Sequence, residues 1–237
     1  MRVAIKLIRQ LWALVKKVHK NQTLSRVAPF AVYILFLIIA DVFSGQLGIQ
    51  AKWLYAIKIV AVIATLAYFA RNLIELSKLP PLRDFLYATV SGLIVFVVWI
   101  FPYPSWLVAG VDAVATNPIA GLDDLETTIW LSTRILGAAL MVPIIEELFW
   151  RSYIMRRYDK NDFLSVDPAT ISSFAYVGSA CLFAIEHKLW LAGLFAGLVY
   201  GELYKTYKNL WVPIFAHGVT NAVLGVYVIS TGHWQYW

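Results

Sequence analysis

Apolar residues in this chain run in blocks rather than alternating or marking one helical stripe. Seven blocks, near residues 29–48, 53–70, 85–101, 129–150, 174–187, 189–204 and 210–230, are apolar on every side, the pattern of helices immersed in hydrocarbon. A full crossing takes about 20 residues, so the fifth and sixth blocks read as a short hairpin whose Glu186-His187-Lys188 tip does not cross fully. Ahead of the blocks, Arg2, Lys6, Arg9, Lys16 and Lys20 lie at helical spacing opposite Leu7, Ile8, Leu11, Leu14, Val15 and Val18. Residues 1–24 therefore read as a basic amphipathic helix lying on lipid headgroups, with a partner-binding helix as the alternative. Charges interrupt it too often for the apolar core, about 7 to 15 residues long, of a cleaved signal peptide. The expected fold is all-α: a polytopic bundle of about seven transmembrane helices, forming one membrane-embedded domain over residues 25–237.

Composition excludes the soluble alternative. Residues from the set AVILMFWYC make up 60% of the 237 and charged residues 14%, against roughly 45–50% and 25% in soluble domains. The lone cysteine, Cys181, has no partner for an internal disulfide and is expected to pack as a small apolar side chain. A formal charge of +6 would suggest nucleic acid for a soluble protein, but here the positions of the charges argue for lipid as the partner and against nucleic acid. Most Lys and Arg fall in the N-terminal segment and around Arg71–Arg83, Arg151–Lys160 and Lys205–Lys208, whereas residues 102–128 carry Asp112, Asp123, Asp124 and Glu126 and no basic residue. That asymmetry predicts a cytoplasmic N-terminus and an outward C-terminus. Lys58 and Arg134 are expected to snorkel toward the outer face, with Asp41 as a buried structural partner for one of them. Trp53, Trp106, Trp211, Trp234, Tyr236 and Trp237 fit an aromatic belt, and His19 and His233 fall where they are expected to be inert.

An ionisable group at bilayer depth is costly and is a functional candidate by default. In MVPIIEELFWRSYIMRR, Glu146 and Glu147 are adjacent and Arg151 follows Glu147 by one helical turn. Pairing Glu147 with Arg151 leaves Glu146 for general-base chemistry; an ion-paired helix end is the structural alternative. FAIEHK puts His187 at the hairpin tip, and AHGVTNA puts His217 and Asn221 one turn apart, an arrangement that interhelical hydrogen bonding also explains. Counted from the basic boundary, Glu146 lies about 9 Å deep, His217 about 12 Å and Asn221 about 18 Å. The three can share a wet cavity, expected to open toward the cytoplasm. Gly193, Gly197 and Gly201 at four-residue spacing let the sixth helix approach a neighbour closely.

The ordered set EExxxR (Glu146, Glu147, Arg151), FxxxH (Phe183, His187) and HxxxN (His217, Asn221) resembles the CPBP intramembrane proteases, the family of the type II CAAX prenyl endopeptidases. The resemblance covers a core of about residues 129–230, and the closing stretch from Asn209 is similar to a prokaryotic subgroup that accompanies exosortase-type protein sorting. It implies a prokaryotic inner-membrane endopeptidase acting near the C-terminus or membrane anchor of a membrane-associated protein. By the same resemblance Glu146, helped by His187, activates a water, His217 and Asn221 bind the developing oxyanion, and Glu147 and Arg151 hold the site together.

No cofactor is expected. Glu146, His187 and His217 are the ligands if a zinc ion is used instead, but HExxH is absent, and a glutamate-activated water with amide and imidazole donors needs no metal. Two other classes stand beside the protease: a non-proteolytic relative acting in bacteriocin immunity or as an accessory binding protein, and a solute carrier with a proton relay, for which inverted repeats are lacking.

Overall fold

The computed structural model describes residues 18, 20–42, 51–108 and 117–236. Nearly all of the expected N-terminal amphipathic helix, the side chain of Asp41, and His19 and Trp237 lie outside the described residues. Among those described the chain is a polytopic helical membrane bundle without strands. Its long helices are α1 (Gln22–Val42), α2 (Ala51–Phe69), α3 (Leu82–Trp99), α4 (Asp124–Arg157), α5 (Ser173–Ile185), α6 (Trp190–Tyr207) and α7 (Trp211–Thr231). Five of these, α1, α2, α3, α4 and α7, are long and apolar enough to cross a bilayer. Their outer faces carry Ile57, Val60, Leu86 and Val97 exposed, which is stable only where the surrounding solvent is itself apolar. Cys181 belongs to this surface: it is exposed rather than packed.

The helix boundaries follow from local chemistry. A capping box between Asp123 and Glu126 starts α4, Ser172 accepts from the Ala175 N–H to start α5, and Gly232 in the left-handed region ends α7. Inside the bundle α3 packs along α7, α5 along α6 and α1 along α2. The α3–α7 approach depends on Gly92, where a Cβ would collide with the Ala216 carbonyl oxygen. The α5–α6 hairpin uses its glycines as expected: Gly193 and Gly197 lie against the Ala184 and Ala180 backbone. The hairpin is short, with 13 residues in α5, but its tip reaches as far as the last residue of α3, since the His187 ring lies 5.2 Å from that of Trp99.

One end of the bundle gathers the basic loops. Arg26 at the start of α1 is fully buried, bonding Glu75 and the Asn72 carbonyl, and Glu75 also accepts from Ser152 near the end of α4. Arg156 donates to the carbonyls of Leu164 and Val166, and Asn209 and Trp211 donate to those of Lys78 and Leu76. Three loops and two helix ends are thereby locked into a polar floor that closes this end.

Candidate active site

The site is built on an interruption in α4. The helix is α-helical to Leu136, π-helical over Gly137–Met141, α-helical over Val142–Glu147 and π-helical again over Leu148–Ile154. The first π segment has a legible cause. The Val142 N–H bonds the Gly137 carbonyl five residues back, and Pro143 has no N–H to offer. The Ala138 carbonyl is left without a helical donor, and Asn221 of α7 fills the place, its Nδ2 donating at 2.8 Å. The distortion that frees a carbonyl thus fixes Asn221 against α4. An amide nitrogen carries two protons, so the second N–H stays available.

Below this point Glu147 and Arg151 are fully buried, with Arg151 Nε 3.0 Å from Glu147 Oε2. The Arg151 guanidinium lies 4.5 Å from the Phe183 ring centroid, and its Nη2 donates to the Gly197 carbonyl, so the cation pins α4 to the hairpin. The other Glu147 oxygen accepts from His217 Nδ1 at 3.0 Å. The His217 ring stacks on Tyr200 at 4.9 Å, and Tyr200 donates to Thr220, which donates in turn to the Gly92 carbonyl. With Nδ1 committed, His217 presents Nε2 to Glu146, 4.0 Å from Oε2. Nε2 accepts in the neutral ring and donates when both nitrogens are protonated. No described residue donates a hydrogen bond to Glu146 Oε2.

His187 is ordered from its own helix. Its Nδ1–H donates to the Phe183 carbonyl at 2.8 Å, and the ring is boxed by Phe183 and Trp99, leaving Nε2 as a hydrogen-bond acceptor.

A cavity of about 200 Å³ is lined by Glu146, His187, His217 and Asn221 together with Tyr33, Trp99, Arg134, Phe183, Tyr200 and Tyr236 among others. The structure brings all six sequence-predicted site residues together: four line this cavity, while Glu147 and Arg151 form the buried layer beneath it. Glu186, which had no predicted role, accepts from Trp150 Nε1. Among the described residues no three His, Cys, Asp or Glu side chains are placed to hold one metal ion.

Three expectations need correction. The cavity does not lead toward the basic loops; from Glu146 and His217 its lining climbs to Arg134, Trp99 and Tyr236, at the opposite end of the bundle. Counting residues from a boundary measures depth but cannot tell which side is plugged, and here the Glu147–Arg151 layer and the Arg26–Glu75 floor plug the near side. Lys58 does not snorkel. It is buried, with Nζ 4.0 Å from the Tyr33 ring centroid and 4.5 Å from that of Tyr55. Arg134 lies over the same Tyr55 ring at 4.6 Å and lines the cavity. Tyr236, assigned to the aromatic belt, is part of the cavity wall. Sequence reasoning missed the aromatic frame of Tyr33, Trp99 and Tyr200, whose only signal was ring type within an already aromatic chain.

Comparison with known proteins locates the same region. Residues 128–223 match the family described as Type II CAAX prenyl endopeptidase Rce1-like. The chain is also 30% identical over 120 residues to the "Putative membrane peptidase YdiL" of Bacillus subtilis (strain 168), a match spanning 49% of this chain and 44% of that protein. It therefore covers less than half the length of this curated relative. No solved structure matches the chain. The matched segment contains all six sequence-predicted site residues, and over residues 128–223 the chain is similar to the Rce1-like family of type II CAAX prenyl endopeptidases.

Proposed function

We propose that the protein is an intramembrane endopeptidase that hydrolyses a peptide bond near the C-terminus or membrane anchor of a membrane-associated protein, with Glu146 as the base that activates water. The observation carrying this reading is the division of labour between two adjacent carboxylates. Glu147 has an ion-pair partner in Arg151 at 3.0 Å and a hydrogen bond from His217, while Glu146 lines the cavity and faces only His217 Nε2, at 4.0 Å, among the ion pairs of the described residues.

In this reading a water bound between Glu146 and His187 Nε2 gives one proton to the Glu146 carboxylate as its oxygen attacks the peptide carbonyl carbon. The carbonyl electrons move onto oxygen, and the resulting oxyanion is met by the second N–H of Asn221 and by His217 Nε2–H in the doubly protonated ring, held by Glu147. When the tetrahedral species collapses the C–N bond breaks, and the proton on Glu146 passes to the leaving amine. His187 is a positioning residue for the water through its fixed Nε2. No step calls for a metal.

The asymmetry of Lys and Arg supports a prokaryotic cytoplasmic membrane as the location, with the N-terminus and the basic end of the bundle cytoplasmic. The cavity then leads toward the non-cytoplasmic side, where a C-terminal sorting segment or anchor is a fitting substrate.

The test compares the membrane proteome of a strain carrying Glu146→Ala with wild type. Unprocessed C-termini should accumulate while the variant remains folded in the membrane, and metal chelators should leave wild-type processing unchanged. Normal processing by a folded Glu146→Gln protein would sink the assignment.

A further inference from the structure

His217 is held at one point by its hydrogen bond to Glu147, but a point does not fix a plane. The torsion that turns a histidine ring is a broad well, and a hydrogen bond tolerates a range of tilts. Two other contacts settle the plane. Tyr200 of α6 lies face to face with the imidazole, 17° from parallel and 4.9 Å between centroids, and Phe183 of α5 meets it edge-on at 6.2 Å. Tyr200 is itself anchored at both ends. Its backbone belongs to α6, and its buried hydroxyl donates to Thr220 Oγ1 at 2.7 Å. Thr220, also buried, donates to the Gly92 carbonyl at 2.8 Å, within reach because Gly92 lets α3 and α7 approach until a Cβ would stand 2.3 Å from the Ala216 carbonyl oxygen. A residue that only filled space here would need no hydroxyl, since burying one in an apolar bundle costs free energy unless it is partnered. The relay from Tyr200 through Thr220 to α3 instead ties one ring to three helices.

We infer that Tyr200 is a positioning residue for His217: its face sets the plane of the imidazole, and so the direction of Nε2, while the Thr220–Gly92 relay keeps that face from tilting. The inference deepens the peptidase reading and rests on it for the task of Nε2, which is to meet the oxyanion beside Glu146, 4.0 Å away. Without the face, the bond to Glu147 survives a tilt that carries Nε2 off the line to the reacting carbonyl. Displacements of that kind matter, since a misplacement of about 1 Å can cost about 10²-fold in rate. Tyr200 also lines the cavity beside His217, so the rival role is a plain wall against substrate. The two roles differ in what they move: a wall acts on binding, and an orienting residue acts on turnover.

The experiment reads the ring itself before it reads activity. Full-length protein in detergent carries isotope-labelled histidine, and the His217 ring signals in NMR spectra are assigned by their loss in His217→Gln. Wild type should give one sharp set. Tyr200→Met fills the space without a flat face and should give broadened or multiple His217 signals, with those of the distant His233 unmoved. Turnover is then measured on synthetic peptides spanning the C-terminal cuts that Glu146→Ala abolishes. Tyr200→Met should lose about ten-fold or more in turnover, with KM within about two-fold of wild type. Tyr200→Phe and Thr220→Val keep the face and cut only its anchor, so both should recover most of the turnover and broaden the His217 signals less. Sharp wild-type signals in Tyr200→Met, equal losses in Tyr200→Met and Tyr200→Phe, or a raised KM at unchanged turnover overturns the positioning role. Should Tyr200→Met not fold, Thr220→Val decides, and wild-type signals with wild-type turnover in that variant overturn it. Failure of the peptidase reading registers separately: no uncut C-termini accumulate with Glu146→Ala, while the histidine signals still report whether Tyr200 orients His217.

Discussion

Two clusters in this bundle use the same ingredients, buried arginine and buried carboxylate, and finish them differently. At the basic end Arg26 spends its guanidinium on Glu75, Gln22, Ser25 and the Asn72 carbonyl, while Glu75 also accepts from Ser152 and sits near Arg156. Every group there faces a partner, and the cluster ties α1, the loop before α3 and the end of α4 into one floor. In the middle of the bundle Arg151 and Glu147 are paired too, but the set contains one carboxylate more than its cations compensate. Glu146 is that carboxylate, and it faces the cavity. A saturated buried network rigidifies, whereas an incompletely satisfied one retains a group able to exchange protons. Satisfaction of partners, more than burial or residue type, separates the scaffold from the candidate chemistry.

The sharpest way to break this comparison is to neutralise one carboxylate in each cluster. Glu146→Gln should lower processing by about 10²–10⁴-fold, the range of a lost general base, and leave the melting temperature in detergent essentially unmoved, because no described donor to Oε2 is lost. Glu75→Gln should do the reverse: removing one member of a buried ion pair costs about 3–5 kcal/mol, with the specific activity of the remaining folded protein retained. Equal stability losses in the two variants would erase the distinction drawn between the clusters.

Asn221→Ala is a smaller and mixed perturbation. It removes a donor proposed for the oxyanion, a loss of about 10²–10³-fold in turnover, and it also orphans the Ala138 carbonyl, at about 1–3 kcal/mol of stability. Asn221→Asp keeps the size but loses both N–H groups. If turnover falls while KM holds, the amide acts in the transition state; a pure stability defect with unchanged turnover would reduce Asn221 to a patch on the π segment.

The membrane bundle was legible because hydrocarbon demands long apolar blocks, and α1 to α4 and α7 lie close to the blocks that predicted them. The six candidate site residues stood out for the same reason, since polar groups at depth contrast with an apolar background. What the sequence could not reveal is how partners are distributed among them. Arg26 counts as one more basic residue near a helix end until Glu75, 49 positions away, is seen to bond it. The link from His217 to Glu147 joins residues 70 apart, and the π segments depend on which carbonyls lose a donor. The direction of the cavity depended on both: the plug is made of long-range pairs, so residue counting along one helix had no access to it.

The comparison predicts its smallest effect at an exposed pair. Lys208 Nζ and Asp167 Oδ2 lie 2.9 Å apart, as close as the buried pairs, but with about half of each side chain in solvent. The Lys208 ammonium, then the Ala169 N–H, hold the Asp167 carboxyl below its ordinary range. A carboxyl shifted downward contributes stability above its unfolded pKa and loses it as pH falls through the folded value, so any penalty of Asp167→Asn should be present at neutral pH and shrink in acid. It should also be small, because solvent and salt screen an exposed pair: a melting-temperature change within roughly 2 °C, reduced further by added salt. Lys208 carries an opposing contribution, since it ends α6 with φ at 53°, in the left-handed region where glycine is preferred. Lys208→Gly therefore loses the ion pair but relieves the backbone, and should melt at or slightly above the wild-type temperature, whereas Lys208→Ala loses the pair without that relief. If Asp167→Asn instead destabilised the bundle as much as Glu75→Gln does, distance alone would set the strength of these pairs, and partner saturation and burial would lose their explanatory role.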